Sequence, residues 1–99
     1  MDPEVLELGG NINLSGFKEV EPGQMVVIKK IVGNYIKKIS DENSDFEKVL
    51  ISLKEAKKGE FKLEGLLTVA GKNYSAEVSK NNLFFALNEL LGEVSGKIK

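Results

Sequence analysis

The sequence predicts an α+β domain, with the order β-α-β-β-β-α, in which a four-stranded mixed sheet carries two helices on one face. Three observations predict it: four segments alternate apolar and polar residues, two others have helical periodicity, and the sheet has one apolar face on which both helices can pack. The chain has 99 residues, of which 41% are apolar and 29% charged. We therefore expect one globular domain spanning residues 1–99.

The first two elements are a strand and a helix. Apolar residues alternate along residues 5–17 around Gly9-Gly10, which predicts a strand bent or bulged at the glycine pair. Pro22 suits the first turn of a helix, and residues 25–40 have helical periodicity. The predicted buried stripe of this helix is about 100° wide and consists of Ile28, Ile31, Val32, Tyr35 and Ile39.

Three strands follow the acidic loop after this helix. Residues 46–54, 60–70 and 73–79 each alternate apolar with polar side chains, which predicts a sheet with one buried and one open face. We interpret Gly71-Lys72 as a two-residue type II′ hairpin turn between the last two strands.

The last element is a second amphipathic helix, for which Asn82 is the predicted N-cap. Phe85 projects nearly opposite its buried stripe, so it is an aromatic residue on a polar face. Such a residue stacks on a base, fills a pocket of a protein partner, or is covered by local structure. The predicted buried stripe consists of Leu83, Leu87, Leu90, Leu91, Val94 and Ile98.

The absent residue types argue against an enzyme. The chain has no histidine, arginine, cysteine or tryptophan, so it lacks the usual neutral-pH general base, the commonest metal ligand and any thiolate. The absence of cysteine fits a reducing compartment, and the acidic N-terminus does not resemble a signal peptide. We expect a cytoplasmic, non-enzymatic protein that uses no cofactor.

One metal-site motif requires consideration. Asp41-x-Asn43-x-Asp45 matches the opening of a calcium-binding loop, but Phe46 replaces the required glycine and Ser52 the required glutamate. We therefore interpret the segment as an acidic loop and expect no metal.

Charge is segregated along the chain. Residues 1–25 carry a net charge of −4 and residues 26–40 a net charge of +4. Lys30 and Lys37 are two helical turns apart, about 10 Å, on the face opposite the buried stripe, which suits successive phosphates. A lysine-rich solvated helix would give the same pattern. The candidate RNA-binding residues are Lys29, Lys30, Lys37 and Lys38, extended by Lys57, Lys58, Lys80 and Phe85.

Nearly the whole chain resembles the ribosome hibernation-promoting factor family, also called ribosome-associated inhibitor or light-repressed proteins. Residues 12–16, Ile-Asn-Leu-Ser-Gly, are similar to the family's I-x-I-T-G-R opening before a basic helix. Residues 82–88, Asn-Leu-Phe-Phe-Ala-Leu-Asn, are similar to its D-M-Y-A-A-I-D opening of the second helix. The departures are Phe17 for the arginine, Phe85 for an alanine and Glu93 for a lysine.

The resemblance implies a fold similar to double-stranded-RNA-binding domains and a role in the small ribosomal subunit. There the helices would contact ribosomal RNA, block messenger and transfer RNA sites, and repress translation under stress. It assigns the first-helix contacts to Lys29, Lys30, Lys37 and Lys38, and implies neither DNA nor a membrane as partner. The alternative is a protein-interaction or homodimerisation module that uses Phe85 or the open sheet face, which carries Leu50, Leu66 and Thr68.

Overall fold

A computed structural model describes residues 5–8, 11–18, 20–57 and 59–98. It confirms the predicted α+β class and the element order, with the predicted first strand divided in two. In the described part of the chain, no helix has a stretch long and apolar enough to cross a membrane. The elements are β1 (Val5–Leu8), β2 (Ile12–Ser15), α1 (Pro22–Glu42), β3 (Phe46–Lys57), β4 (Glu60–Val69), β5 (Lys72–Lys80) and α2 (Leu83–Gly96).

The strands form one sheet in the order β1-β2-β3-β4-β5. The pair β2–β3 is parallel and the other pairs are antiparallel, so β2 to β5 form the predicted four-stranded mixed sheet. The prediction of a single bent first strand was wrong, because Val5 pairs with Ser15 and Leu8 with Ile12. In a hairpin, the backbone groups along the outer edge of β2 form hydrogen bonds with β1. A single bent strand would leave them without these partners. Gly9 and Gly10 lie outside the described residues.

One hydrophobic core lies between the sheet and both helices. The buried residues of the two helices and of one sheet face form a single cluster, and α2 lies on β4 and β5 while α1 contacts α2. The predicted packing of both helices on one face is therefore confirmed. The sheet contributes Leu14, Val49, Ile51, Leu63, Leu67, Ala76 and Val78 to this core.

Helix α1 is longer than predicted and rotated about its axis. Ile31 and Tyr35 are only half-buried, whereas Ile36 is 3% exposed although it was not predicted as core. The pattern could not fix the rotation because apolar residues extend to both sides of the stripe. The Asn43 amide donates a hydrogen bond to the Ile39 carbonyl, which closes the helix end. The buried residues are Met25, Ile28, Val32, Ile36 and Ile39.

Helix α2 begins as predicted. The Asn82 side-chain oxygen accepts hydrogen bonds from the backbone N–H groups of Phe84 (2.9 Å) and Phe85 (3.1 Å), which confirms the N-cap. The helix ends at Gly96, so Ile98 lies beyond it and is half-buried. The buried residues are Leu83, Ala86, Leu87, Leu90, Leu91 and Val94.

The turn between β4 and β5 differs from the prediction. Val69 pairs with Lys72, so the two loop residues are Ala70 and Gly71. Both have positive φ angles, 53° and 77°, which is the signature of a type I′ turn. The interpretation of Gly71-Lys72 as a type II′ turn was wrong because the glycine occupies the second central position.

Candidate nucleic-acid interface

The surface of α1 carries most of the candidate site. The buried stripe of this helix fixes its orientation on the sheet, and as a result Lys29, Lys30, Lys37 and Lys38 are all exposed. Lys30 and Lys37 lie on the outer side, opposite the core, as predicted. Because the helix is rigid, the Cα atoms of these two residues have a fixed spacing of about 10 Å.

The charge of α1 is one-sided. No acidic residue occurs in the helix before Asp41, and Asp41 and Glu42 then form its last two positions. From Pro22 to Ser40, about five turns, every charge on the helix is therefore positive. Such a surface attracts polyanions through lysine point charges alone, which favour phosphates without selecting a base.

The remaining candidate lysines contribute less. The Lys80 ammonium lies 3.3 Å from the carboxylate of Glu89 on α2, so part of its charge is already balanced. Lys57 ends β3, but its side chain lies outside the described residues, and so does all of Lys58. The structure thus places four candidate lysines on α1 and leaves Lys80 at the end of β5, beside α2.

Phe85 lies on the first turn of α2 with its side chain 70% exposed. This confirms that it projects away from the core. The outer surface of α2 around it carries exposed Asn88 and Glu89 and has no lysine before Lys97, whose ammonium contacts the Ser75 carbonyl. The exposed lysines therefore lie on α1, while α2 exposes an aromatic ring.

A second feature of α1 was not predicted from the sequence. A groove of about 360 Å³ lies between α1 and the first residues of β2 and β3. The one sequence signal for it is Gly33, a glycine in the middle of a long helix. The groove is lined by Asn11, Ile12, Gly33, Ile36, Lys37, Ser40 and Phe46.

The open face of the sheet has a different character. Leu50 and Leu66 are cross-strand neighbours at its centre, and Leu66 is 37% exposed. Thr68 is buried on this face and donates a hydrogen bond of 2.8 Å to Asn73. Two ion pairs, Lys54–Glu64 at 3.6 Å and Lys62–Glu77 at 3.7 Å, border the leucines. Lys48 lies on the same face, so the charges there are of both signs, unlike those of α1 before Asp41.

The described residues provide no candidate metal centre. Among them, no three acidic side chains come close enough together to bind a metal ion. Asn43, from the motif that resembles a calcium loop, donates its amide to the Ile39 carbonyl.

Comparison with known proteins gives a structural likeness. No protein-family model matches the chain, and no curated protein sequence matches it. The N-terminal domain of Thermus thermophilus Protein Y is 14% identical with a TM-score of 0.65, covering 90% of this chain and 92% of that one. A ribosomal subunit interface protein from Coxiella burnetii is 8% identical with a TM-score of 0.57, covering 88% and 89%. The chain thus shares, over nearly its whole length, the fold of a ribosomal subunit interface protein and of the Protein Y N-terminal domain.

Proposed function

We propose that this chain is a non-enzymatic, cytoplasmic RNA-binding factor that occupies the small ribosomal subunit and represses translation under stress. The observation that carries this proposal is the basic surface that α1 presents before Asp41, on a fold shared with a ribosomal subunit interface protein. Ribosomal RNA is the partner that fits this surface, because it offers phosphates at fixed positions. Neither a cofactor nor a chemical step is required.

The contact would be made by lysine ammonium groups on phosphates. Each lysine that neutralises a phosphate releases counterions, so affinity falls as salt rises. If Lys29, Lys30, Lys37 and Lys38 all contact a duplex region, the logarithm of the association constant should fall with the logarithm of salt with a slope of about −3 to −4. A rigid helix on a folded sheet would place these contacts without prior ordering of the chain.

Repression of translation would follow from occupancy of the small subunit. A folded domain bound where messenger and transfer RNA pass excludes them by volume, and its effect depends on affinity alone. The degree of inhibition should therefore follow the fraction of small subunits occupied.

Sedimentation through a sucrose gradient tests the proposal. The purified chain is mixed with small subunits, or with large subunits as the control, and each fraction is assayed for the chain. We expect it to sediment with small subunits only, and to inhibit a cell-free translation reaction at the same concentrations. A chain that stays at the top of both gradients would contradict the proposal.

The open sheet face supports a second candidate function, that of a protein-interaction or dimerisation module. Leu66 is 37% exposed beside Leu50 and has no cover in the described part of the chain. Binding through this apolar contact would persist at high salt, whereas phosphate binding would not. Analytical ultracentrifugation of the wild type and Leu66→Ser distinguishes the two candidate functions. If the wild type is a dimer in 0.5 M salt and Leu66→Ser is a monomer, the second candidate is favoured.

A further inference from the structure

The groove beside α1 is a shallow depression that is open to solvent. Its volume is about 360 Å³, within the range of roughly 300–1,000 Å³ typical of small-molecule pockets. Three separate segments form it: the chain entering β2, the middle of α1 and the first residue of β3.

The groove combines an apolar floor with a polar rim. Ile36 is buried, and Ile12 and Phe46 are half-buried, so they supply apolar surface. Asn11, Ser40 and Lys37 are exposed along the rim and carry hydrogen-bond donors and acceptors. A nucleobase has matching chemistry, because its faces are apolar and its edges are polar.

Gly33 keeps this groove open. It lies in the interior of α1, where glycine is the least favoured residue except proline. A Cβ atom placed there would meet nothing within 4 Å, so no packing contact in the described part of the chain requires a glycine. A larger side chain at this position would extend into the groove instead.

We propose that this groove binds an unstacked base of single-stranded RNA while Lys37 contacts the adjacent phosphate. The inference rests on the proposed RNA-binding function and deepens it. Charge complementarity selects the occupant, because Lys37 belongs both to the groove rim and to the basic surface that α1 presents before Asp41. The base would add a contact that depends on unpaired RNA, whereas the lysines bind any phosphate.

The test fills the groove without changing charge. Gly33→Met places a flexible side chain in it, and Gly23→Met is the matched control, because Gly23 is also in α1, has open space around it and is not part of the groove. Methionine is a good helix former, so we expect the melting temperature of Gly33→Met to equal or exceed that of the wild type. The probes are a short single-stranded RNA and the same RNA with abasic sites.

The wild type and Gly23→Met should bind the intact RNA about tenfold more tightly than the abasic RNA, within the range for one stacked base. The test is made in a Phe85→Ala background, which removes any base stacking by that ring, and there Gly33→Met should bind both RNAs equally. If Gly33→Met in this background prefers the intact RNA as strongly as Gly23→Met does, the base lies elsewhere and the proposal is wrong. If Gly33→Met weakens binding to intact small subunits but not to RNA, the occupant is a protein segment and the proposal is again wrong.

Different results would contradict the groove proposal and the proposed function. A wild type that binds small subunits but does not prefer the intact RNA to the abasic RNA would overturn the groove proposal alone. No binding of the wild type to either RNA or small subunits would overturn both.

Discussion

Gly16 shows how one residue positions a segment that the alternation pattern does not cover. Its φ angle is +83°, and a Cβ atom there would collide with the carbonyl oxygen of Leu53. The chain therefore turns tightly against β3 and directs Phe17 into the core, where it is 2% exposed. Phe17 stands where the family that the chain resembles has an arginine. Its burial could not be predicted because it follows the end of β2, where period-two alternation no longer applies.

Gly16→Ala should lower the free energy of unfolding strongly, because it combines backbone strain with a steric clash. The matched control is Gly59→Ala, since Gly59 also has a positive φ angle, 78°, but has nothing within 4 Å of a Cβ atom. The control should cost about 1–2 kcal/mol, and Gly16→Ala at least about 1 kcal/mol more from overpacking. Urea denaturation measures both, and equal losses would mean that Gly16 does not approach β3 closely.

Phe85→Ala tests whether the Phe85 ring stacks on an RNA base or stabilises the fold. Because the side chain is 70% exposed, its removal should change the free energy of unfolding by no more than about 0.5 kcal/mol. If the ring stacks on a base, affinity for RNA should weaken by about 1–3 kcal/mol with no change in oligomeric state. Calorimetric titration with RNA and ultracentrifugation measure the two effects. A shift from dimer to monomer with unchanged RNA affinity would assign Phe85 to a protein interface instead.

At the scale of elements, periodicity predicted type and order but left rotation and pairing open. For α1, Ile31 and Tyr35 extend the apolar surface on one side and Ile36 on the other, so only the position over the sheet decides which is buried. For residues 5–15, alternation is equally compatible with one bent strand and with a hairpin. In both cases the deciding contacts are between elements and leave no local signal.

The turn between β4 and β5 supplies a prediction at this scale. Ala70 has a φ angle of 53°, a left-handed conformation that costs an L-residue with a Cβ about 1–2 kcal/mol, whereas asparagine tolerates it and Asn-Gly is the preferred type I′ pair. Ala70→Asn should therefore raise the free energy of unfolding by about 0.5–1 kcal/mol. Gly71 has a φ angle of 77°, so Gly71→Ala places a Cβ atom on a residue with left-handed backbone and should lower the free energy of unfolding. Thermal and urea denaturation test both, and a less stable Ala70→Asn protein would argue against a type I′ turn.

For the whole molecule, a net charge of −1 conceals two unlike surfaces. Before Asp41, the outer side of α1 carries only positive charges, while the open sheet face has two ion pairs beside Leu50 and Leu66. The lysines of α1 and the exposure of Phe85 could be predicted because each depends on the periodicity of one helix. The groove could not, because its residues come from three segments and meet only in the folded chain.

Charge reversal on α1 tests the central claim most directly. Lys30→Glu with Lys37→Glu removes two predicted phosphate contacts, whereas Lys48→Glu with Lys72→Glu makes the same change in net charge at exposed positions on the strands. Both double variants should keep their stability within about 1 kcal/mol, as surface changes usually do. The measurement is the affinity for purified small ribosomal subunits across a salt series. We expect the α1 variant to bind at least about tenfold more weakly with a salt slope reduced by about 2, and the strand variant to bind nearly as well as the wild type. An α1 variant that binds like the wild type, or a strand variant that loses as much affinity, would contradict the assignment of α1 as the RNA-binding surface.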